Sequence, residues 1–254
     1  MDIINILMLA AIQGITEFLP ISSSSHLILF PLLTDYEDQG LGFDIALHFG
    51  SLMAIMAFYR KELAEILNKS NEGIHYMKLI IIASIPLPIA GIFLIEFISE
   101  NLRNLHTIGF MTIAFALLLY FSDRNSKSNQ TITNLSLSLM IIIGFFQIIA
   151  LIPGVSRSGI VITAALLLHL NRSDSIKVAF LLSIPALFMA SIYQGIELYY
   201  SQDDSILENN ILGALLSFVF SYTTIKLLVL TINRITFAPF IIYRLFLGTF
   251  LLII

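Results

Sequence analysis

Long apolar runs alternate with short polar stretches along the whole chain. A run of about 20 apolar residues is long enough to cross a bilayer as a helix. Ten apolar segments can be marked, at residues 2–19, 22–33, 43–59, 76–97, 107–121, 135–152, 156–169, 174–197, 210–231 and 237–254. The pattern predicts an all-α integral membrane protein whose helices are surrounded by lipid.

Two of these segments are too short to cross a membrane. Segments 22–33 and 156–169 reach only about 20 Å at about 1.5 Å per residue, whereas the hydrocarbon core is about 30 Å thick. Each follows the preceding segment after a break at a proline, Pro20 or Pro153. Proline breaks a helix, and a break at membrane depth is tolerated only inside protein or beside a water-filled cavity. We therefore predict two re-entrant helix–loop–helix hairpins.

The order of the segments repeats, as a broken pair followed by three full spans. A shift by 133 residues also places Pro20 on Pro153, Ser23 on Ser156 and Ser25 on Ser158. Three crossings in each half turn the second half upside down, as in many transporters whose sites lie at broken helices near the midplane. We predict one membrane domain, 1–254, with inverted repeats at about 1–122 and 135–254, ten helical segments and six full spans.

Composition excludes a soluble fold. Hydrophobic residues make up 57% of the chain and charged residues 12%, with a mean hydropathy of +0.92. A soluble domain has about 25% charged residues. Cysteine is absent, so disulfides, thiolate catalysis and cysteine metal sites are excluded as well.

The charges predict the orientation in the membrane. The basic side carries Arg60, Lys61, Lys69, Lys78, Arg124, Lys127, Arg172, Lys177 and Arg234. The other side carries one basic residue, Arg103, together with Asp35, Glu37, Asp38, Asp44, Glu96, Glu100, Asp203, Asp204 and Glu208. The positive-inside rule makes the basic side cytoplasmic. Both termini and the mouth of the first hairpin are then expected on the outer face.

Four ionisable residues, Glu17, His26, Arg157 and Arg244, lie within hydrophobic segments. Each costs roughly 2.5–3.5 kcal/mol on membrane-insertion scales, so each suggests a function. The first motif, QGITEFLPISSSSHL, places Gln13 and Glu17 on one helix face and His26 after a run of four serines. A carboxylate, hydroxyls and an imidazole are the parts of an acid–base or nucleophilic site. Helix capping and close packing by the serines are the structural alternative.

The second motif, ALIPGVSRSG, has the chemistry of a phosphate cradle. Arg157 can form bidentate bonds to a phosphate, Ser156 and Ser158 add donors, and the following helix start adds N–H groups. The structural alternative is an ion pair between Arg157 and Glu17. Gln147 lies just before this break and can hydrogen-bond there. Arg244, about eight residues into the last segment, either reaches the site or pairs with a carboxylate.

These two motifs together resemble the undecaprenyl-diphosphate phosphatase family of bacteria, the bacitracin-resistance type. The resemblance extends to FDIALHFGSLMAI, AFLLSIPALFMAS and RITFAPFIIYR, and so covers nearly the whole chain. It implies hydrolysis of undecaprenyl diphosphate in the bacterial plasma membrane, which recycles the lipid carrier for peptidoglycan and confers bacitracin resistance. It also implies a divalent cation, Mg²⁺ or Ca²⁺. The expected partners are this polyprenyl diphosphate and membrane lipids, without nucleic acid, and the assembly is a monomer or a homodimer.

Carried over to this sequence, the family pattern implies Glu17, Ser23, His26 and Arg157 as catalytic residues, with Glu17 also a metal ligand. Gln13 stands where the family has glutamate or glutamine, and SSSS stands where many members have threonine and glycine. Around these residues we expect substrate-binding roles for Gln13, Ser22, Ser24, Gln147, Gly154, Ser156, Ser158 and Arg244.

The expected reaction begins with attack of Ser23 on the terminal phosphorus, with His26 or Glu17 as the base, on a diphosphate that enters from the outer face. A water molecule activated by Glu17 is the rival nucleophile. Among other functions, a lipid-carrier transporter or flippase is suggested by analogy of fold alone. An acid-phosphatase-like enzyme is disfavoured because no histidine follows SRSG, and a structural scaffold because four charges lie within apolar segments.

Overall fold

The computed structural model describes residues 2–34, 40–68, 71–126, 130–132, 135–201 and 207–254. Within these ranges the chain is helical, and the one β-type pairing is an isolated bridge between Gln130 and Leu170. The helices are α1 (Ile3–Thr16), α2 (Ser23–Leu33), α3 (Leu41–Phe58), α4 (Arg60–Leu67), α5 (Asn71–Ser84), α6 (Pro86–Asn101), α7 (Leu105–Asn125), α8 (Leu137–Ile148), α9 (Arg157–Leu167), α10 (Arg172–Ser201), α11 (Leu207–Thr231) and α12 (Ala238–Ile253). A 3₁₀ turn, Ile149–Leu151, follows α8.

Each predicted apolar segment holds a helix, and the all-α prediction is confirmed for the described ranges. Segment 76–97 holds two helices, because Pro86 begins α6 at a position where no backbone donor is needed. Four helical stretches are long and apolar enough to cross a membrane, namely Gly73–Asn101, Leu105–Asn125, Arg172–Tyr193 and Glu208–Thr231. A fifth is obtained if α3 and α4, bent by 74°, count as one. The prediction of six spans also counted α12, which has 16 residues.

Several charged residues used to orient the chain lie outside the described residues: Asp35, Glu37, Asp38, Lys69, Lys127, Asp203 and Asp204. The interfacial helix α4 was not predicted. It has no buried residue, and its sequence RKELAEIL is too polar to be marked as an apolar segment.

The two predicted hairpins correspond to two pairs of short helices, α1 with α2 and α8 with α9. Their lengths are 14, 11, 12 and 11 residues. The backbone reverses at Ser22 (φ 74°) and Ser156 (φ 70°), which are the N-cap residues of α2 and α9. These caps are 134 residues apart, whereas the prolines are 133 apart. In backbone conformation and N-cap position it is thus Ser22, and not Ser23, that resembles Ser156.

Close helix packing brings the two halves of the chain together. Helix α3 packs on α10 and α11, α7 packs on α12, α1 packs on α11, and α8 packs on α5. A Cβ atom at Gly50 would lie 2.2 Å from the carbonyl oxygen of Ala214, so only glycine permits the observed contact of α3 with α11. Both hairpin loops enter the main buried cluster, through the fully buried Phe18 and Val155. Apolar side chains also cover the outside, as at Ile92 and Phe93, each 78% exposed.

Candidate active site

The carboxylate of Glu17 lies at the centre of a polar cluster between the two hairpins. Glu17 follows α1 directly and is only 8% exposed. Its Oε1 lies 2.6 Å from Nη2 of Arg157, across 140 residues of sequence. Its Oε2 accepts hydrogen bonds from Ser23 Oγ (2.8 Å) and Gln13 Nε2 (3.1 Å). The structure thus brings four of the predicted residues together around one carboxylate.

Ser23 is held against this carboxylate by the start of α2. The positive φ of Ser22 ends the loop, and α2 begins at Ser23, so the Ser23 hydroxyl faces back towards α1. The other serines bond among themselves: Ser25 Oγ donates to Ser22 Oγ at 2.9 Å, and Ser22 Oγ lies 3.2 Å from Ser24 Oγ. Ser23 is therefore the member of the serine run that shares a hydrogen bond with Glu17.

Arg157 is the first residue of α9, at the tip of the second hairpin. Besides its ion pair with Glu17, its Nη1 donates to the carbonyl of Ala179 in α10 at 3.3 Å. Ser156 caps α9 by accepting from Gly159 N at 3.2 Å, and Ser158 Oγ donates to the carbonyl of Leu19 at 2.9 Å. The second hairpin is thereby fixed to the first beside the carboxylate. Breaking a buried ion pair of this kind costs about 3–5 kcal/mol.

His26 is turned to a partner that the sequence did not suggest. Its Nδ1 lies 2.7 Å from the carbonyl oxygen of Ser22, and its Nε2 lies 2.6 Å from the hydroxyl of Tyr243 in α12. The two ring planes are nearly parallel (4°), with centroids 5.5 Å apart, so the rings meet edge to edge through this hydrogen bond. A carbonyl oxygen only accepts, so Nδ1 carries the hydrogen and Nε2 accepts from Tyr243. Tyr243 precedes Arg244 in sequence, but tyrosine is common at membrane interfaces, so no sequence signal set it apart.

Arg244 is the largest fully buried side chain in the described part of the molecule. Its Nη2 donates to the carbonyls of Gly154 (2.9 Å) and Val155 (3.0 Å), and its Nη1 donates to Pro20 O at 3.4 Å. These are backbone groups of both hairpin loops. Of the two roles left open for Arg244, pairing with a carboxylate is not observed within the described ranges, where its hydrogen-bond acceptors are backbone carbonyls.

The profile of one protein family, described as "Bacitracin resistance protein BacA", matches residues 6–250. The chain belongs to the BacA family. It is 42% identical over 256 residues to an undecaprenyl-diphosphatase of Saccharophagus degradans, covering 98% of this chain and 96% of that protein. It is 41% identical over 262 residues to undecaprenyl-diphosphatase 1 of Pseudoalteromonas translucida, covering 100% of this chain and 98% of that protein. An undecaprenyl-diphosphatase of Pelagibacter ubique is 40% identical over 255 residues.

Two predicted residues of this BacA-family chain have structural contacts of their own. Gln147 donates through Nε2 to the carbonyl of Ala83 in α5 at 3.1 Å, and the structure gives it no contact with the Glu17 cluster. Gly154 has φ +93°, and a Cβ atom there would lie 2.5 Å from the carbonyl oxygen of Ile108. Its carbonyl accepts from Thr112 Oγ1 and Arg244 Nη2. Gly154 thus allows the second loop to lie directly against α7.

The donor atoms beside Glu17 fit a hard divalent cation. Within the described ranges no three His, Cys, Asp or Glu side chains form a metal-binding group. Gln13, however, donates to Glu17 through its nitrogen, while its buried Oε1 has no partner among the described atoms. Carboxylate, amide and hydroxyl oxygens are ligands that Mg²⁺ and Ca²⁺ accept, and Mg²⁺ commonly combines one or two carboxylates with substrate phosphates.

Proposed function

We propose that this BacA-family protein hydrolyses undecaprenyl diphosphate to undecaprenyl phosphate and inorganic phosphate, and so returns the carrier lipid to peptidoglycan synthesis. The activity named for its relatives is the starting point. One observation in this chain carries the proposal: the Ser23 hydroxyl donates to one oxygen of Glu17, whose other oxygen binds Arg157. The proposed nucleophile and the anion-binding cation thereby both contact the proposed base.

Ser23 is the proposed nucleophile and Glu17 is the proposed base. Ser23 Oγ forms a bond to the terminal phosphorus, the bond from phosphorus to the bridging oxygen breaks, and undecaprenyl phosphate leaves with the electron pair. The Ser23 proton passes to Glu17 Oε2, to which it is already hydrogen-bonded. The oxygen of a water molecule then bonds to this phosphorus, the bond from phosphorus to Ser23 Oγ breaks, and Ser23 takes back its proton from Glu17. Inorganic phosphate leaves with both hydrogens of the water. His26 was the other candidate base, but both of its ring nitrogens have partners elsewhere.

The phosphates are proposed to lie beside Glu17, whose carboxylate is contacted by the first residue of α2 and the first residue of α9. Helix N-termini offer unpaired N–H groups and a favourable dipole for anions. Arg157 has five N–H donors, of which two are used on Glu17 and Ala179. Its remaining donors suit the developing charge on the transferred phosphoryl group. Ser22, Ser24, Ser156 and Ser158 remain proposed contacts for the diphosphate oxygens.

A divalent cation, Mg²⁺ or Ca²⁺, is the proposed cofactor. Glu17, the unpartnered Oε1 of Gln13 and the Ser23 hydroxyl would hold it, together with oxygens of the substrate. When bound, the cation would neutralise phosphate charge. An activity that is lost in chelator and restored by adding back one metal ion would support this cofactor.

We further propose that the chain forms two inverted repeats with six spans in a bacterial plasma membrane. Under a pseudo-two-fold axis, α1 corresponds to α8, α3 to α10, and α7 to α12. The contact of α1 with α11 then corresponds to that of α8 with α5, and α3–α10 and α7–α12 are pairs of equivalent helices. These contacts and the matched caps at Ser22 and Ser156 support the repeat. Outward-facing termini and a homodimer are further parts of this proposal.

Phosphate release from undecaprenyl diphosphate by the purified protein tests the function and its mechanism. Ser23→Ala is expected to lower the rate by at least about 10²-fold, a typical contribution of a catalytic group. Ser99→Ala, at an exposed serine of α6, is the matched control and should keep the wild-type rate. A ³²P-labelled phosphoserine at Ser23 is expected after acid quench. If Ser23→Ala retains most turnover, water activated by Glu17 replaces Ser23 as the nucleophile, and an inert wild type contradicts the function itself.

A further inference from the structure

A second polar cavity lies away from the Glu17 cluster, at the bend between α3 and α4. Its volume is about 450 Å³, and its walls come from this bend, the first turns of α10 and the C-terminal half of α11. Tyr59 in the cavity wall contacts Phe180 (ring centroids 6.4 Å apart), which contacts Phe18 (5.4 Å), the neighbour of Glu17. Three buried rings therefore separate the cavity from the candidate active site.

One side of the cavity is strongly basic. Arg60, Lys61 and Lys177 line it, with Glu62 as the acidic lining residue. Lys177 Nζ lies 3.8 Å from Glu62 Oε1. Each of these two side chains is about one-third exposed. Arg60 and Lys61 have no carboxylate within 4.0 Å in the described part of the chain. Three cations against one anion leave an excess of positive charge that suits an anionic group.

The start of α10 adds to this preference for an anion. Ser173, in the first turn of this 30-residue helix, also lines the cavity. The positive end of the helix dipole and the Ser173 hydroxyl therefore lie beside the basic side chains. A phosphate group would be attracted by all three features together.

Much of the remaining cavity lining is apolar. Phe58, Tyr222, Val229 and Ile232 line it, and the rings of Phe58 and Tyr222 are 5.8 Å apart. On the same helix, Leu227 and Leu230 are 57% and 63% exposed, as expected for side chains that face lipid. An inorganic phosphate ion would gain nothing from contact with these apolar side chains. An amphiphile with an anionic head and hydrocarbon chains, in contrast, fits both the basic and the apolar parts of the lining.

We propose that this cavity binds the headgroup of an acidic phospholipid, such as phosphatidylglycerol, with its phosphate against Arg60, Lys61 and Ser173 and its acyl chains along α11. The basic residues belong to the side that the positive-inside rule makes cytoplasmic, where acidic lipids attract lysine and arginine. The site does not depend on the chemistry at Glu17, because the ring contacts of Tyr59, Phe180 and Phe18 lie between them.

Native mass spectrometry of the detergent-purified full chain tests the site, with phosphatidylglycerol and phosphatidylcholine added separately. Wild type is expected to retain phosphatidylglycerol preferentially. Arg60→Ala/Lys61→Ala should weaken that binding by roughly thirtyfold, since each basic residue contributes about a factor of five at an acidic lipid. The matched control is Arg124→Ala, which removes an exposed cation of α7 that is not in the cavity wall. Helical circular dichroism verifies that each variant is folded.

Two further arms separate the lipid from other occupants. Val229→Trp fills the apolar side and is expected to displace phosphatidylglycerol while the basic residues are unchanged. Inorganic phosphate, added in excess, should not displace the lipid. Equal retention of both lipids by wild type, loss of the adduct in Arg124→Ala as well, or complete displacement by inorganic phosphate would each overturn the proposal.

Discussion

The hydroxyl of Tyr243 lies 2.6 Å from Nε2 of His26, and this contact directs the histidine away from Ser23. The residues are 217 positions apart in sequence and come from the first hairpin and the last helix. The Nδ1–H group of His26 donates to the carbonyl oxygen of Ser22. The lone pair on Nε2 accepts from the Tyr243 hydroxyl and is therefore not available to take a proton from Ser23. Both ring nitrogens of His26 therefore have partners outside the Glu17 cluster, which is why we propose Glu17 and not His26 as the base.

Tyr243→Phe is expected to reduce kcat/KM for phosphate release by about threefold to tenfold, the effect of one lost hydrogen bond. Phenylalanine keeps the aromatic ring in α12, so the thermal unfolding midpoint should change little. Tyr193→Phe, at a 55% exposed tyrosine of α10, provides the control. Wild-type kinetics in Tyr243→Phe would mean that the hydroxyl has no part in the reaction.

Glu17→Gln and His26→Asn distinguish the two candidate bases. We expect Glu17→Gln to lower kcat by at least about 10²-fold, because the proton acceptor of Ser23 is lost, and His26→Asn to lower it much less. Glu96→Gln, at an exposed carboxylate of α6, controls for the loss of one charge. The assignment of Glu17 as the base fails if His26→Asn is the more damaging change.

The ion pair between Glu17 and Arg157 is expected to contribute to stability as well as to chemistry. Arg157→Gln alone leaves a buried carboxylate without its cation, which should cost about 3–5 kcal/mol of the free energy of unfolding. The double variant Glu17→Gln/Arg157→Gln should recover much of that stability but no activity. Thermal unfolding followed by helical circular dichroism measures this, since the chain has no tryptophan. A double variant less stable than either single one would contradict the pairing.

Arg244→Met is expected to loosen both hairpin loops at once. Carbonyls of Pro20, Gly154 and Val155 would lose a buried donor, at about 1–3 kcal/mol for each one left unsatisfied. The unfolding midpoint should fall, and phosphate release should fall with it because the loops carry the site. Arg234→Met, at an exposed arginine just before α12, should leave both unchanged. Wild-type stability in Arg244→Met would show that the three hydrogen bonds do not hold the loops.

Gly154→Ala is expected to be strongly destabilising, while Gly195→Ala is expected to be neutral or stabilising. At Gly154 a Cβ atom meets a carbonyl oxygen at 2.5 Å on a backbone with φ +93°, and the left-handed conformation alone costs about 1–2 kcal/mol. At Gly195, inside α10, nothing lies within 4 Å of the added Cβ. Alanine gains up to about 1 kcal/mol over glycine in a helix. Equal unfolding midpoints for both variants would refute this difference.

Much of the fold follows from short-range features of the sequence. Apolar length and the breaks at Pro20 and Pro153 predicted both short pairs and the other apolar helices, with α5 and α6 predicted as one segment. The break between α5 and α6 was missed because Pro86 lies inside a continuous apolar run. Helix α4 was missed because a short interfacial helix needs only one apolar face, which a search for long apolar runs does not detect.

The sequence by itself determined which residues are the candidates for the chemistry. Charged and hydroxyl side chains at breaks in apolar segments are costly in a membrane unless they have a partner or a function. This argument selected Glu17, Ser23, His26 and Arg157. The sequence also left the contact of Glu17 with Arg157 open as a structural alternative, and the structure contains it.

Only the tertiary structure decided which of these groups meet. Ser23 bonds to Glu17 because a positive φ at Ser22 aims the start of α2 back at α1. His26 is turned to Tyr243, and Arg244 reaches loop carbonyls rather than a carboxylate. Each of these contacts joins segments distant in sequence, or depends on one backbone angle. The spacing of residues along the chain predicts neither the long-range contacts nor this backbone angle. Both depend on the packing of the whole helix bundle, which fixes where each side chain points.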